Sequence, residues 1–179
     1  MRRLAFALMA VGCVIALAGG SLGLAGWTGQ QSAKALWADG VTGFHDATGK
    51  YTRLSFPAHH ADFIVRDGAS VENLMLGPAR LEWSSIPGDR GNSVIAAHRD
   101  THFRILKDLK KGDIITLERD GHAFQYRIVT LEIVRPTDNT FYQPTSKAVL
   151  TLVTCYPFYY LGPAPKRFIV RAELLDTTS

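Results

Sequence analysis

Cysteine is scarce in this chain: 179 residues contain two, Cys13 and Cys155. Cys13 lies within a long apolar run and cannot pair with Cys155 across it, so a disulfide has no place in the main body of the protein. Low-complexity tracts and internal repeats are absent as well, which leaves an ordinary globular composition of 46% hydrophobic and 20% charged residues. No stripe of Lys and Arg and no RNP, helix-turn-helix or zinc-finger spacing accompanies the formal charge of +4, so nucleic acid is not an expected partner. What remains is room for one domain plus a short extension.

The extension is the first informative feature. Met1-Arg2-Arg3 precedes Leu4 to Gly26, a stretch without one charged side chain. A helix needs roughly 20 apolar residues to cross the hydrocarbon core. Residues 1–26 are therefore read as an uncleaved signal-anchor and transmembrane helix, longer than the apolar core of a cleaved signal peptide, which is the alternative. The two arginines predict a cytoplasmic N-terminus and an exported remainder. Residues 27–50, small, polar and partly helical in pattern, read as a stalk or linker. Residues 51–179 form the expected main domain, on the outer side of the membrane. A lone thiol in an exported domain is either incidental or kept for chemistry.

From Tyr51 onward the pattern is all-β. Expected strands are Tyr51–Phe56, Asp62–Val65, Arg80–Trp83, Asn92–His98, Asp113–Glu118, His122–Val134, Ala148–Cys155 and Arg167–Leu174, each bounded by turn-forming residues. Asp120-Gly121 signals a hairpin. Two short helices interrupt them: Val71–Leu76, capped by Ser70 and ended by Gly77, and about Phe103 to Leu109. Eight short strands with few helices indicate a closed barrel or a sandwich. Alternation puts Cys155, His98 and Arg167 at or near strand ends, where rigid backbone can hold them.

Those three residue types form a sufficient set for acyl transfer. A thiolate attacks the carbonyl carbon, an imidazole moves the protons, and a permanently charged guanidinium holds the oxyanion. The flanking sequences are more specific than the composition. Thr151-Leu152-Val153-Thr154-Cys155, the strand start Lys166-Arg167-Phe168-Ile169-Val170 and the segment Ala97-His98-Arg99-Asp100-Thr101-His102-Phe103 all occur in this chain. They resemble the TLxTC signature, the arginine strand and the GHRDTHF-type histidine segment of the sortase family, with Ala97 standing where glycine is frequent. The chain resembles both the small sortases of Gram-negative bacteria and, between Cys155 and Arg167, class D sortases.

The resemblance implies an eight-stranded sortase-type β-barrel with short helices, preceded by the membrane helix. It also implies a cysteine transpeptidase without metal or organic cofactor. Its protein partner would carry an LPxTG-like sorting signal, and the acyl group would pass from Cys155 to an amine, attaching the protein to the cell surface. His98 would be acid and base, Arg167 the oxyanion or substrate holder, Thr154 a supporting or substrate contact, and Tyr156 a groove contact or a packing residue around the Pro157 and Pro163 turns. An exported cysteine hydrolase using the same residues, or a non-catalytic binding barrel, are the competing readings. His98 and His102 have an HxxxH spacing, but Arg99 occupies the place of the metalloprotease Glu and the residues before it read as strand, so no metal is expected. Asp100 is expected to cap the following helix, and His102 to start it.

Overall fold

Strand alternation decides how this chain closes on itself. The computed structural model describes residues 24–35, 37 and 52–175. After a helix α1 (residues 24–35) come β1 (Thr52–Phe56), β2 (Ala61–Asp67), α2 (Val71–Leu76), β3 (Ala79–Arg80), β4 (Gly91–Ala96), β5 (Ile114–Arg119), β6 (His122–Val134), β7 (Ala148–Tyr156) and β8 (Lys166–Leu174). The eight strands form a closed barrel in the order β1-β2-β3-β4-β7-β8-β6-β5. One face of each strand fills the interior. Leu150 and Leu152 of β7 meet Val170 and Ala172 of β8, and Leu54, Leu117 and Ile128 complete the core from the other side. Leu150 and Leu152 are fully buried, and burying such a side chain stabilises the fold by about 1.5–3 kcal/mol.

Local chemistry accounts for the boundaries. Ser70 Oγ accepts a hydrogen bond from Asn73 N at 3.1 Å and starts α2, as the sequence predicts. Asp120 and Gly121 both have positive φ, 54° and 76°, the requirement of a tight two-residue hairpin between β5 and β6. Two expectations are corrected. The strand expected over Arg80–Trp83 ends at Arg80, because the chain turns there: Ser84 N donates to Leu81 O at 2.9 Å. The helix expected from Phe103 is a 3-10 helix over His102–Asp108, whose N-cap is Thr101, and no side chain caps it; Asp100 does not play that part.

The shortest seams of the barrel flank β3, which pairs with β2 and with β4 over two residues each, Ala79 and Arg80. Ile64 of β2 is left beyond the end of the β2–β3 ladder. The side chain of Gln30 on α1 takes its place: Oε1 accepts from Ile64 N at 2.9 Å and Nε2 donates to Ile64 O and Leu76 O, each at 3.1 Å. A primary amide thus supplies the donor and acceptor that a neighbouring strand would have supplied. Gly77 is needed for this approach, since a Cβ there would sit 2.1 Å from Gln30 Nε2. Lys34, one turn further on, pairs with Asp62 at 3.2 Å.

Among the described residues no helix is long and apolar enough to cross a membrane. The expected membrane segment 1–26 lies outside the described residues except for Leu24, Ala25 and Gly26, which belong to α1.

Candidate active site

Cys155 is the penultimate residue of β7, on the outer face of the barrel. Residues Val149 and Val153 share that face, and Val153 joins Val94, Phe141 and Ile169 in an apolar cluster separate from the barrel interior. The antiparallel register sets Cys155 directly opposite Arg167 of β8. Side chains opposed in this way have Cβ atoms about 4.5–5.5 Å apart. On the other side β7 runs parallel to β4, with Ala96 beside Val153, and Ala97 N continues the ladder by donating to Val153 O at 3.3 Å. β4 ends at Ala96, and His98 follows two residues beyond it, at the end of β4 that lies beside Val153. Cys155 therefore has Arg167 opposite it on one neighbouring strand and the segment carrying His98 at the end of the other. His98 is exposed, while Cys155 and Arg167 are half-buried.

Arg167 is held from its own loop. Its Nη1 donates to Lys166 O at 3.0 Å and to Ala164 O at 3.4 Å. Guanidinium has five N–H donors, so others are left for a developing oxyanion at Cys155.

His98 lies beyond the last ladder bond and is positioned by side chains. Thr154, 3% exposed, faces inward and donates from Oγ1 to Ala97 O at 2.7 Å, pinning the residue before the histidine. Arg99, the residue after it, reaches the loop between β7 and β8: Nη2 donates to Tyr160 O at 2.8 Å and Gly162 O at 3.2 Å, and the guanidinium lies 5.8 Å from the Tyr160 ring. Arg104 makes a second clasp over Tyr159 at 5.1 Å. The histidine segment and the cysteine-to-arginine loop are thereby tied into one unit.

Of the five residues singled out from sequence, the fold sets Cys155 opposite Arg167 and puts the segment carrying His98 beyond the end of the strand on the other side of β7. Thr154 and Tyr156, one position either side of Cys155, take the other side of β7. Tyr156 packs with Phe168, stacked at 6.2 Å, and with Phe158, edge-on at 5.9 Å. Both support the strand end from within.

Two further residues are not singled out by the sequence. Arg99 is one, although it lies inside the histidine segment. Tyr142 is the other: it ends a 3-10 turn over Thr140–Tyr142 and packs against Phe141 and, at 5.8 Å, edge-on to Trp83. Burial raises its phenol pKa, with Arg167 acting downward and Cys155 upward, so its hydroxyl lies within electrostatic reach of both. No strand or helix signal marks residues 135–147, and a single Tyr in such a stretch carries no periodicity to read. His102 is buried, 8% exposed, under α1, edge-on to Phe63 at 5.8 Å. Burial lowers its pKa, a hydrogen bond to the backbone of Gly26 raises it, and His98 and Asp100 act downward and upward in turn.

This arrangement can carry acyl transfer: a nucleophile flanked by a proton carrier on one side and a fixed positive charge on the other. Known proteins agree with it. The chain is 36% identical over 118 residues to Sortase D of Bacillus subtilis, a match covering 65% of this chain and 60% of that protein. Its structure superimposes on a lid mutant of Sortase A from Corynebacterium diphtheriae with a TM-score of 0.66 and 29% identity, over 70% of each chain. It also superimposes on a Sortase D5 transpeptidase from Clostridium perfringens with a TM-score of 0.68, over 84% of this chain and 98% of that one; at 20% identity this likeness speaks for the fold alone. The relative from Bacillus supports the class D-like side of the resemblance. Residues 54–175, which run from β1 past β8 and hold Cys155, His98 and Arg167, match the sortase domain, and the chain belongs to the sortase family.

Proposed function

We propose that this protein is a membrane-anchored cysteine transpeptidase that cleaves an LPxTG-like sorting signal and joins the released acyl group to an amine. One observation carries the reading: Cys155 sits between Arg167, its cross-strand partner, and the strand end bearing His98. The thiolate of Cys155 attacks the carbonyl carbon of the scissile Thr–Gly or Thr–Ala bond. Arg167 holds the oxyanion. As the C–N bond breaks, imidazolium at His98 gives its proton to the departing amine, leaving a thioester on Cys155. The incoming amine then attacks the thioester, His98 takes its proton, and the thiolate leaves with the new amide formed. No external oxidant or cofactor enters this balance. The apolar run and the arginines before it support an anchor with its N-terminus in the cytoplasm and the barrel outside.

The test uses the full chain in detergent micelles with LPxTG-type peptides and an amine acceptor, read by mass spectrometry beside Cys155→Ala. The expected result is a thioester adduct on Cys155 and an amide product, both absent from the variant. Peptide cleavage giving only free acid would replace transferase with hydrolase, and cleavage that survives Cys155→Ala would overturn the site.

A further inference from the structure

The apolar N-terminal run and the first contact with the barrel overlap at one residue, Gly26. The run Leu4–Gly26 holds no charged side chain, yet Gly26 already touches the domain: a Cβ there would lie 3.1 Å from Met75 O of α2 and 3.3 Å from His102 Cε1. Gly26, the last residue of the run, is thus seated against the barrel. Whatever depth residue 26 has in a bilayer, the Met75 end of α2 shares to within a few ångströms.

The surface at that point is apolar and uncovered. Leu24 and Trp27 of α1 are each 62% exposed, Val71 is 79% and Met75 39% exposed. Val71 and Met75 are four apart on α2 and share a face. Along α1 the buried side is Gly26, Gln30 and Ala33, while the outer side changes from Leu24 and Trp27 to Thr28, Gln31 and Ser32. It is apolar only at the end that continues into the run. Tryptophan is enriched where chains leave the hydrocarbon core. Glu72 beside Val71 is exposed too and disfavours an anionic surface, so the attraction is hydrophobic.

We infer that the patch of Leu24, Trp27, Val71 and Met75 is a lipid-docking surface, seated at the boundary between acyl chains and headgroups, which holds the barrel directly on the bilayer. This rests on the anchor proposed above and goes beyond it. An anchor holds the domain near the bilayer; this surface sets which side of it faces the lipid. The uncharged run Leu4–Gly26 is about as long as the roughly 20 apolar residues needed to cross the core, and residues 24–27 stand at its end.

The experiment uses the full chain carrying Cys13→Ala, Cys155→Ala and Val71→Cys, labelled at position 71 with a small environment-sensitive fluorophore and reconstituted in phosphatidylcholine vesicles. Emission is compared between plain lipids and lipids brominated near the headgroup end of the acyl chain. Quenching of at least twofold, with protection from an aqueous quencher, is expected. Intrinsic tryptophan quenching in the chain with Trp37→Phe and Trp83→Phe, which leaves Trp27, gives a second reading without the label. Protein that floats with the vesicles but shows neither effect overturns the docking surface and leaves the anchor standing. Protein that does not float with the vesicles overturns both.

Discussion

Cys155 and Arg167 are placed in one way and His98 in another. The first two are opposed rungs of an antiparallel ladder whose neighbours, Val153 with Ile169 and Thr154 with Phe168, are themselves buried or half-buried pairs. Their relative position is a property of backbone hydrogen bonds along the strands. His98 stands past the end of its ladder and relies on Thr154 holding Ala97 and on Arg99 gripping the loop opposite. In the proposed mechanism the fold therefore fixes the nucleophile and the positive charge, and a few side chains the proton carrier. Rigid placement suits the groups between which the oxyanion develops. A group that moves a proton first toward one amine and then from another has two positions to serve.

The contrast can be broken from either side. The largest effect belongs to the ladder pair. Arg167→Ala removes the oxyanion donor and is expected to lower kcat by about 10²–10³ with the fold intact, measured by peptide turnover and circular dichroism. Thr154→Val comes next. It leaves the buried Ala97 carbonyl without its donor, costing about 1–3 kcal/mol of stability, and frees the histidine segment. Turnover falls by about tenfold, within the ~10² that small misplacements cause, and Thr154→Ser restores it; equal thioester formation in both proteins would show that His98 does not depend on this tie. Arg99→Ala is expected to lower kcat/KM several-fold and to speed proteolysis within residues 157–165, while leaving the unfolding midpoint nearly unchanged. Unaltered proteolysis would mean that the loop stands without the clasp.

The smallest effect concerns His102 under α1. Burial depresses its pKa below the ordinary 6.5. The undocked state takes up the proton first, so docking of α1 is at full strength above pH 6.5 and weakens as pH falls through the folded value. Hydrogen exchange in residues 24–35, corrected for intrinsic rates, should rise between pH 7.5 and 5.5 in the native chain. The rise should be smaller in His102→Phe, and equal slopes would dismiss the histidine as its source.

Much of this is legible in the chain itself, and the pattern of misses is physical. Seven of the eight strands can be read from the sequence, β6 to its end residues, because alternation and bounding turns are local signals; β3, two residues long, overlaps its expected range only at Arg80. The cap at Ser70 and the hairpin at Asp120-Gly121 rest on single residues whose conformational preference acts on the spot. The sequence motifs point to the opposed pair Cys155 and Arg167 and to the segment carrying His98. What stays hidden is contact over distance. Gln30 finds Ile64, Arg99 finds Tyr160 and Tyr142 joins Val94 and Val153 in the outer cluster only after the barrel has closed. A lone polar residue on a short helix announces no partner. For the same reason nearness in sequence suggests the groove for Thr154 and Tyr156, while alternation turns both to the other side of β7.

The amide of Gln30 has a consequence for anyone who trims this protein. It is the stand-in for a missing rung beside Ile64, and it comes from a segment that would ordinarily be discarded as linker. A fragment begun at Gln31 would present one bare N–H and one bare C=O in the middle of β2, beside a strand partner of two residues. Open strand edges recruit other chains. Such a fragment would be prone to self-association that has nothing to do with its biology, whereas one begun at Leu24 would carry its own stopper.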